Sequence, residues 1–267
     1  MRLLREHLRR SWWTGTLVTL GAGLFTAVAM RAYTAIVLPA GTELMVSRLP
    51  KPLQAALGMD RLPFHTLNGF LAVILQHPFL LAALLALPVT LATDLLTREV
   101  ERRTLPLLLV RRVGRVQIVL SAALVTAFWM LLASGAAWAG VVAGSRWAGV
   151  SPAPDPAMVA RVAANLFLLG AAVGGASLAL ASLCDERGEA VQWCVVPLLI
   201  MYVWHFLAQF WPDARTVAEN LLFHHYSPVR VVLEGAVPAE SAAVLGTVAV
   251  AGVVVAAVVF HRREFSL

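Results

Sequence analysis

The stretch TREVERRTLPLLLVRRVGR, Thr97 to Arg115, gathers six arginines and two glutamates in a chain that is 60% hydrophobic and 13% charged. Glu99 and Arg103 are spaced i, i+4, and Arg98 lies near Glu101 and Arg102 on neighbouring turns, a pattern that supports a charged helix end. Thr104 is placed to cap a new short helix from Leu105 to about Arg112, with Pro106 tolerated in its first turn and Gly114 beyond its end. That helix carries Leu105, Leu107, Leu108, Leu109 and Val110, too few to cross a bilayer and too apolar to stand alone in water. Its cover is either lipid, with Arg111, Arg112 and Arg115 turned outward, or another protein.

A second set of groups with chemistry lies inside apolar runs, where polar side chains are functional candidates by default. Gln76, His77, Arg161, Asn165, Gln192, His205 and Gln209 fall there, with Arg31 and Asp94 at run ends. Arg31, Arg161 and Asp94 are positioned to reach headgroups, whereas Asn165, Gln192 and His205 suit hydrogen bonds between helices better than substrate contact. Gln76 and His77 join them as candidates for a path. His224 and His225 are adjacent, and no Cys or His cluster supplies further ligands, so no metal site is expected. Cys184 and Cys194 are ten residues apart, about 15 Å along one helix, and are expected to be reduced packing residues. The chain's single lysine, Lys51, lies in SRLPKPLQ without a glycine-rich loop, so no ATP-hydrolysing P-loop is present.

The elements that must hold these residues follow from composition. A positive mean hydropathy over 267 residues describes a polytopic membrane protein. Six apolar runs are long enough to span: about 12–38, 67–93, 116–143, 158–183, 190–211 and 241–260. Alternating barrel periodicity is absent, and only helices satisfy every backbone amide in lipid at this length, so the fold class is all-α integral membrane, in one transmembrane domain over 1–267. Basic residues concentrate at the N-terminus, the 97–115 loop, Arg187 and the tail, which puts both termini in the cytoplasm of a cytoplasmic membrane. The arginine excess fits topology and a GC-rich prokaryotic genome, and nothing in it points to nucleic acid. The basic start and Ala27-Val28-Ala29 suggest a cleaved signal peptide, but the apolar run resumes after Arg31, so an uncleaved span is expected.

Before the first span, residues 1–11 segregate on a helical wheel: Leu3, Leu4, Leu8 and Trp12 on one arc, Arg2, Arg5, Glu6, Arg9 and Arg10 on the other. This is read as an interfacial helix on the membrane, either a lipid anchor or a docking surface. Pro78, Pro88 and Pro197 are candidate kinks, and Gly170-x-x-x-Gly174 with Gly175, and Gly140-x-x-x-Gly144, are candidate close-packing faces. Residues 212–238 hold the half-length apolar pieces Val217–Phe223 and Val229–Leu233, which fit short helices dipping in from outside.

The order of a charged helix end with Glu99 and Glu101, then Thr104-Leu105, then Leu107 to Leu109, then Arg115 opening a fresh span resembles the loop between spans 2 and 3 of the type-2 ABC transporter permease family. Arg103 stands where relatives commonly have glycine, and Pro106 where they have an acid. The amphipathic start, six spans, short 184–189 loop, Ser227-Pro228 and Phe260-to-Phe265 tail extend the likeness in layout. The resemblance implies a permease subunit of an ATP-driven exporter, with 97–115 as coupling loop around a coupling helix and 212–238 as an outer re-entrant region. It further implies Arg102, Arg103 and the other flanking arginines as rim contacts, two separate ABC ATPase subunits that bind ATP and Mg, and a second permease copy or homologue. The chain itself would bind no cofactor and catalyse nothing. The rival readings are a non-transporting assembly or sensor subunit, and an integral membrane enzyme acting on a lipid-linked substrate.

Overall fold

The computed structural model describes residues 2–37, 62–101, 114–209 and 211–263. Among them the elements are helical, with no strand. Helix α1 covers Arg2–Ala32 and passes into a π-helical turn, Tyr33–Val37; α2 is Leu67–Leu75, α3 Pro78–Glu101, α4 Arg115–Ala148, α5 Pro156–Ala181 and α6 Arg187–Leu207. Short pieces follow: a 3₁₀ turn Pro212–Ala214, α7 Arg215–Ala218, a 3₁₀ turn Leu222–His225, and α8 Pro228–Glu234, before the last long helix, α9, Ala239–Arg262. Six helices are long and apolar enough to cross a membrane, namely α1, α3, α4, α5, α6 and α9. The chain is thus a multi-pass membrane protein. His7 near the start of α1 bonds to Ser121 near the start of α4, and Arg115, which opens α4, bonds to the His261 and Arg263 carbonyls at the end of α9, so these three ends share one face of the bundle. That face is called proximal here and the opposite one distal.

Two expectations are corrected. The run 67–93 is not one helix: it breaks at Gln76–His77, and the crossing helix is α3 alone. Pro78 has no N–H to donate to Ile74, and its ring disfavours helix in the residue before it. The Ile74 carbonyl instead accepts from the His77 N–H at 3.1 Å, and the chain turns there into α3. Secondly, residues 1–11 are not a helix apart from the first span. Arg2–Ala32 is unbroken, and His7 and Ser11 are buried along the same face that continues into the span. A wheel reports which side of a helix is apolar; it says nothing of where its axis bends.

Small residues set the closest helix contacts, as van der Waals packing without a hydrophobic drive requires. Where α1 meets α4, a Cβ on Gly140 would lie 2.2 Å from the Gly23 carbonyl oxygen, and one on Gly144 2.6 Å from the Ala27 Cα. Thr26 lies at this crossing and donates its hydroxyl to the Ala137 carbonyl of α4 at 3.0 Å. Where α5 meets α9, a Cβ on Gly252 would lie 2.3 Å from the Gly175 carbonyl carbon. Gly140-x-x-x-Gly144 is therefore a packing face, and in the other motif Gly175 makes the backbone contact while Gly170 receives the Met130 methyl.

The contrast between Gly252 and Gly246 is a test, because nothing lies within 4 Å of a Cβ at Gly246. Gly252→Ala is expected to destabilise the bundle by about 1–3 kcal/mol through overpacking against backbone, and Gly246→Ala to leave stability unchanged or raised by up to about 1 kcal/mol. Thermal unfolding in detergent, compared across the two variants, checks this.

Candidate functional site

At the proximal face the ends of five helices are tied by arginines. α3 ends in Glu101, and its Asp94 forms an ion pair with Arg187 at the start of α6. The Glu101 carboxylate also accepts from the Arg187 N–H at 3.3 Å, so Arg187 ties α6 to α3 through two polar contacts. A first-turn N–H is unpaired within its own helix, and a carboxylate there is favoured by the helix dipole as well. Arg263, just past α9, donates to the Ser182 and Cys184 carbonyls at 2.8 and 2.9 Å and pairs with Asp185 at 2.8 Å. The last carbonyls of α5 and the loop behind it thus find a guanidinium in place of a next turn. Arg115, the first residue of α4, donates to the His261 and Arg263 carbonyls at 3.1 and 2.7 Å. Gly114 precedes it, with its N–H donated to the Gln117 side chain at 3.2 Å.

The two residues that bracket the charged loop, Glu101 and Arg115, are both members of this network. Between them Arg102, Arg103, Thr104, Leu105, Leu107, Leu108, Leu109, Arg111 and Arg112 lie outside the described residues, as does the short helix expected there. Glu99 lies on α3, its side chain outside the description. Asp94 is not merely a headgroup-seeking acid, since Arg187 is its partner.

Along α1, Leu4 and Leu8 pack on the core, Arg5 is exposed, and Arg9 is exposed and pairs with Glu6 at 3.1 Å. His7 shares a hydrogen bond with Ser121 of α4 at 3.1 Å, and Trp129 of α4 donates to Ser11 at 2.8 Å. Trp12 sets its ring edge-on to Trp129 with centroids 5.9 Å apart, on the exposed side. The N-terminal turns are thereby bolted to α4 immediately behind Arg115.

The distal half holds a second cluster. Asn165 is fully buried on α5; its amide donates to the His225 carbonyl at 3.1 Å and accepts from the Ser227 N–H at 3.3 Å. Tyr226 between them donates its hydroxyl to the Leu75 carbonyl at 2.7 Å. That carbonyl ends α2, where the break at Gln76–His77 takes away the usual partner four residues on. Ser227 then caps α8, its hydroxyl accepting from the Arg230 N–H at 3.3 Å. Asn165 is nine residues beyond the distal start of α5, so 225–227 sits about 14 Å down that helix. Residues 212–238 form short helices and turns, and the turn 222–227, called the plug below, packs in against α5 and the end of α2.

The remaining candidates do not converge on a path. Gln76 and His77 sit at the break, with the His77 ring 5.6 Å from Phe25 and stacked on Phe79 at 5.4 Å. His205 approaches Phe223 of the plug, centroids 6.3 Å apart, and Gln192 faces outward from α6. Both cysteines are free and buried. Among the described residues no group of three His, Cys, Asp or Glu could hold a metal. Sequence reasoning missed Tyr226, whose signal was a lone tyrosine beside Ser-Pro, and the Arg263 clasp, whose acceptors are backbone carbonyls that no residue type announces.

Compared with protein-family models, curated proteins and solved structures, the chain finds no match.

Two substitutions test the clusters. Burial raises the Cys184 thiol pKa, with Glu189 next; Arg263 pulls the other way and Asp185 adds to the rise. In a Cys194→Ser background, Arg263→Ala should speed Cys184 alkylation by about tenfold, as loss of about 1.4 kcal/mol of clasp would. Loss of the guanidinium alone would slow alkylation by raising that pKa further, so an increase reports an opened loop. Tyr226→Phe strips the Leu75 carbonyl of its buried donor and should cost about 1–3 kcal/mol in unfolding.

Proposed function

We propose that the chain is the membrane subunit of an ATP-driven ABC exporter, working in a prokaryotic cytoplasmic membrane with its proximal face in the cytoplasm. It would act as a pair, with a second copy or a related permease, and with two separate ATPase subunits that bind ATP and Mg. The observation that supports this best is the placing of α3. Its proximal end carries Asp94 and Glu101, clasped to α6 and leading into the charged loop, and its distal end begins at the break whose Leu75 carbonyl holds the plug. One helix of 24 residues, about 36 Å, thus runs from the loop to the plug.

In this reading the leucines at 105 and 107–109 seat in a groove on the ATPase, and the flanking arginines set register at its rim. Closure of the ATPases presses on the loop. Glu101 passes the load to α6 through Arg187, and Arg115 passes it to α9 through the His261 and Arg263 carbonyls. α3 carries it to the distal side. A displacement there strains the Tyr226 and Asn165 contacts together, which suits a two-state closure that is either docked or released. The N-terminal turns, fixed to α4 through His7 and Ser11, would form a second seat for the ATPase beside the loop.

Replacing Leu105, Leu108 and Leu109 together by Asp should abolish co-purification of the P-loop ATPase that the wild-type chain brings down from its native membrane, while leaving the subunit in the membrane with an unchanged melting temperature. ATPase bound at wild-type level by that variant removes the coupling role.

A further inference from the structure

The distal plug contains a titratable ring in a place that suits only its neutral form. His225 is 6% exposed, and its Nδ1 is buried without a hydrogen-bond partner. A neutral imidazole can leave one nitrogen bare as an acceptor, whereas an imidazolium carries N–H donors on both nitrogens and a charge. Burying that charge without partners is among the costlier changes a fold can suffer.

The groups facing the ring do not repair this. His224 lies beside it with ring centroids 5.4 Å apart, and Arg230 on α8, itself paired with Glu234 at 3.2 Å, is a cationic neighbour. Glu240 in the first turn of α9 is the anion that favours the proton. From α5 the plug meets Asn165, which is neutral and already bonded to the backbone on both sides of Tyr226, while Arg161 one turn away is exposed. From α6 it meets His205, beside Phe223. The backbone carbonyl of the same His225 is one of the plug's anchors, so the backbone that carries the ring stays at this depth while the Asn165 contact holds.

We infer that His225 is a proton-operated release for the distal plug: taking up a proton from the distal side undocks the 222–234 segment and parts it from Asn165 and from the Leu75 carbonyl. Burial lowers the His225 pKa below the usual imidazole range, His224 adds to this, Glu240 opposes it, and Arg230 lowers it again. A lowered pKa means that docking is at full strength above about pH 6.5 and is lost as pH falls through the lowered value. The inference concerns the plug itself and stands apart from the reading of the chain as a permease.

Amide hydrogen–deuterium exchange of the full chain in lipid nanodiscs reads it directly, with exposure times scaled for the intrinsic pH dependence of exchange. Peptides over 222–231 should exchange about tenfold faster at about pH 5.0 than at about pH 7.5, while α5 peptides over 166–178 stay protected. His225→Phe should remove that rise. Equal scaled exchange at both pH values in the wild type overturns the inference, and so does a rise that His225→Phe retains. If His225→Phe exchanges fast along the whole chain, Glu240→Gln decides. Losing the anion deepens the cost of the proton, so an enlarged rise supports the release and an unchanged one overturns it.

Discussion

Pro78 withholds one amide hydrogen from the second apolar run, and the distal half of the molecule is arranged around what this leaves open. In lipid every backbone carbonyl needs a partner from protein, because water is not there to serve. The Ile74 carbonyl is met locally by His77, but the Leu75 carbonyl is met from 151 residues away by Tyr226. Asn165 fixes the residues on both sides of Tyr226, so a single unfilled acceptor in α2 determines where the 222–227 turn can sit. Break, plug and cap are one solution to a hydrogen-bond shortage.

The proximal face solves a related shortage with charge. Helix ends leave carbonyls and amides without partners, and here guanidinium groups reach across to them: Arg263 to the end of α5, Arg115 to the end of α9. Arginine suits this, since its planar fork serves two acceptors at once and stays charged near a membrane. The same residues that give the face its positive character therefore hold the bundle ends in register. Between the two faces the helices meet at glycine, where backbones approach as closely as Gly252 and Gly175 do, and these crossings have little freedom to slide.

Much of the architecture was legible from residue type alone. Six apolar runs became six crossing helices, because lipid admits few other solutions, and Asn165 was readable as an interhelical hydrogen bond because a lone amide at that depth has little else to do. The second run was read too long: Pro78 looked like a kink within a span, and only the supply of a distant Tyr226 hydroxyl makes a full break affordable. The first was read as two pieces because amphipathicity marks a face and not an axis. The clasp of Arg263 was hidden, since its acceptors are main-chain oxygens of Ser182 and Cys184 that any residue could offer. The identity of the charged loop as a special region came from composition, while its attachment at Glu101 and Arg115 needed the structure.

The continuity of α1 has a mechanical corollary. Thirty-one residues without a break make a rod of about 46 Å, longer than the hydrocarbon layer is thick. A flat helix on the surface could be lifted without disturbing the span it precedes; a rod cannot. A push on the arginine-bearing stub is felt along its whole length, and because His7 and Ser11 tie the stub to α4 while the Gly140 and Gly144 crossing presses the two together further along, α1 and α4 lean as a single lever.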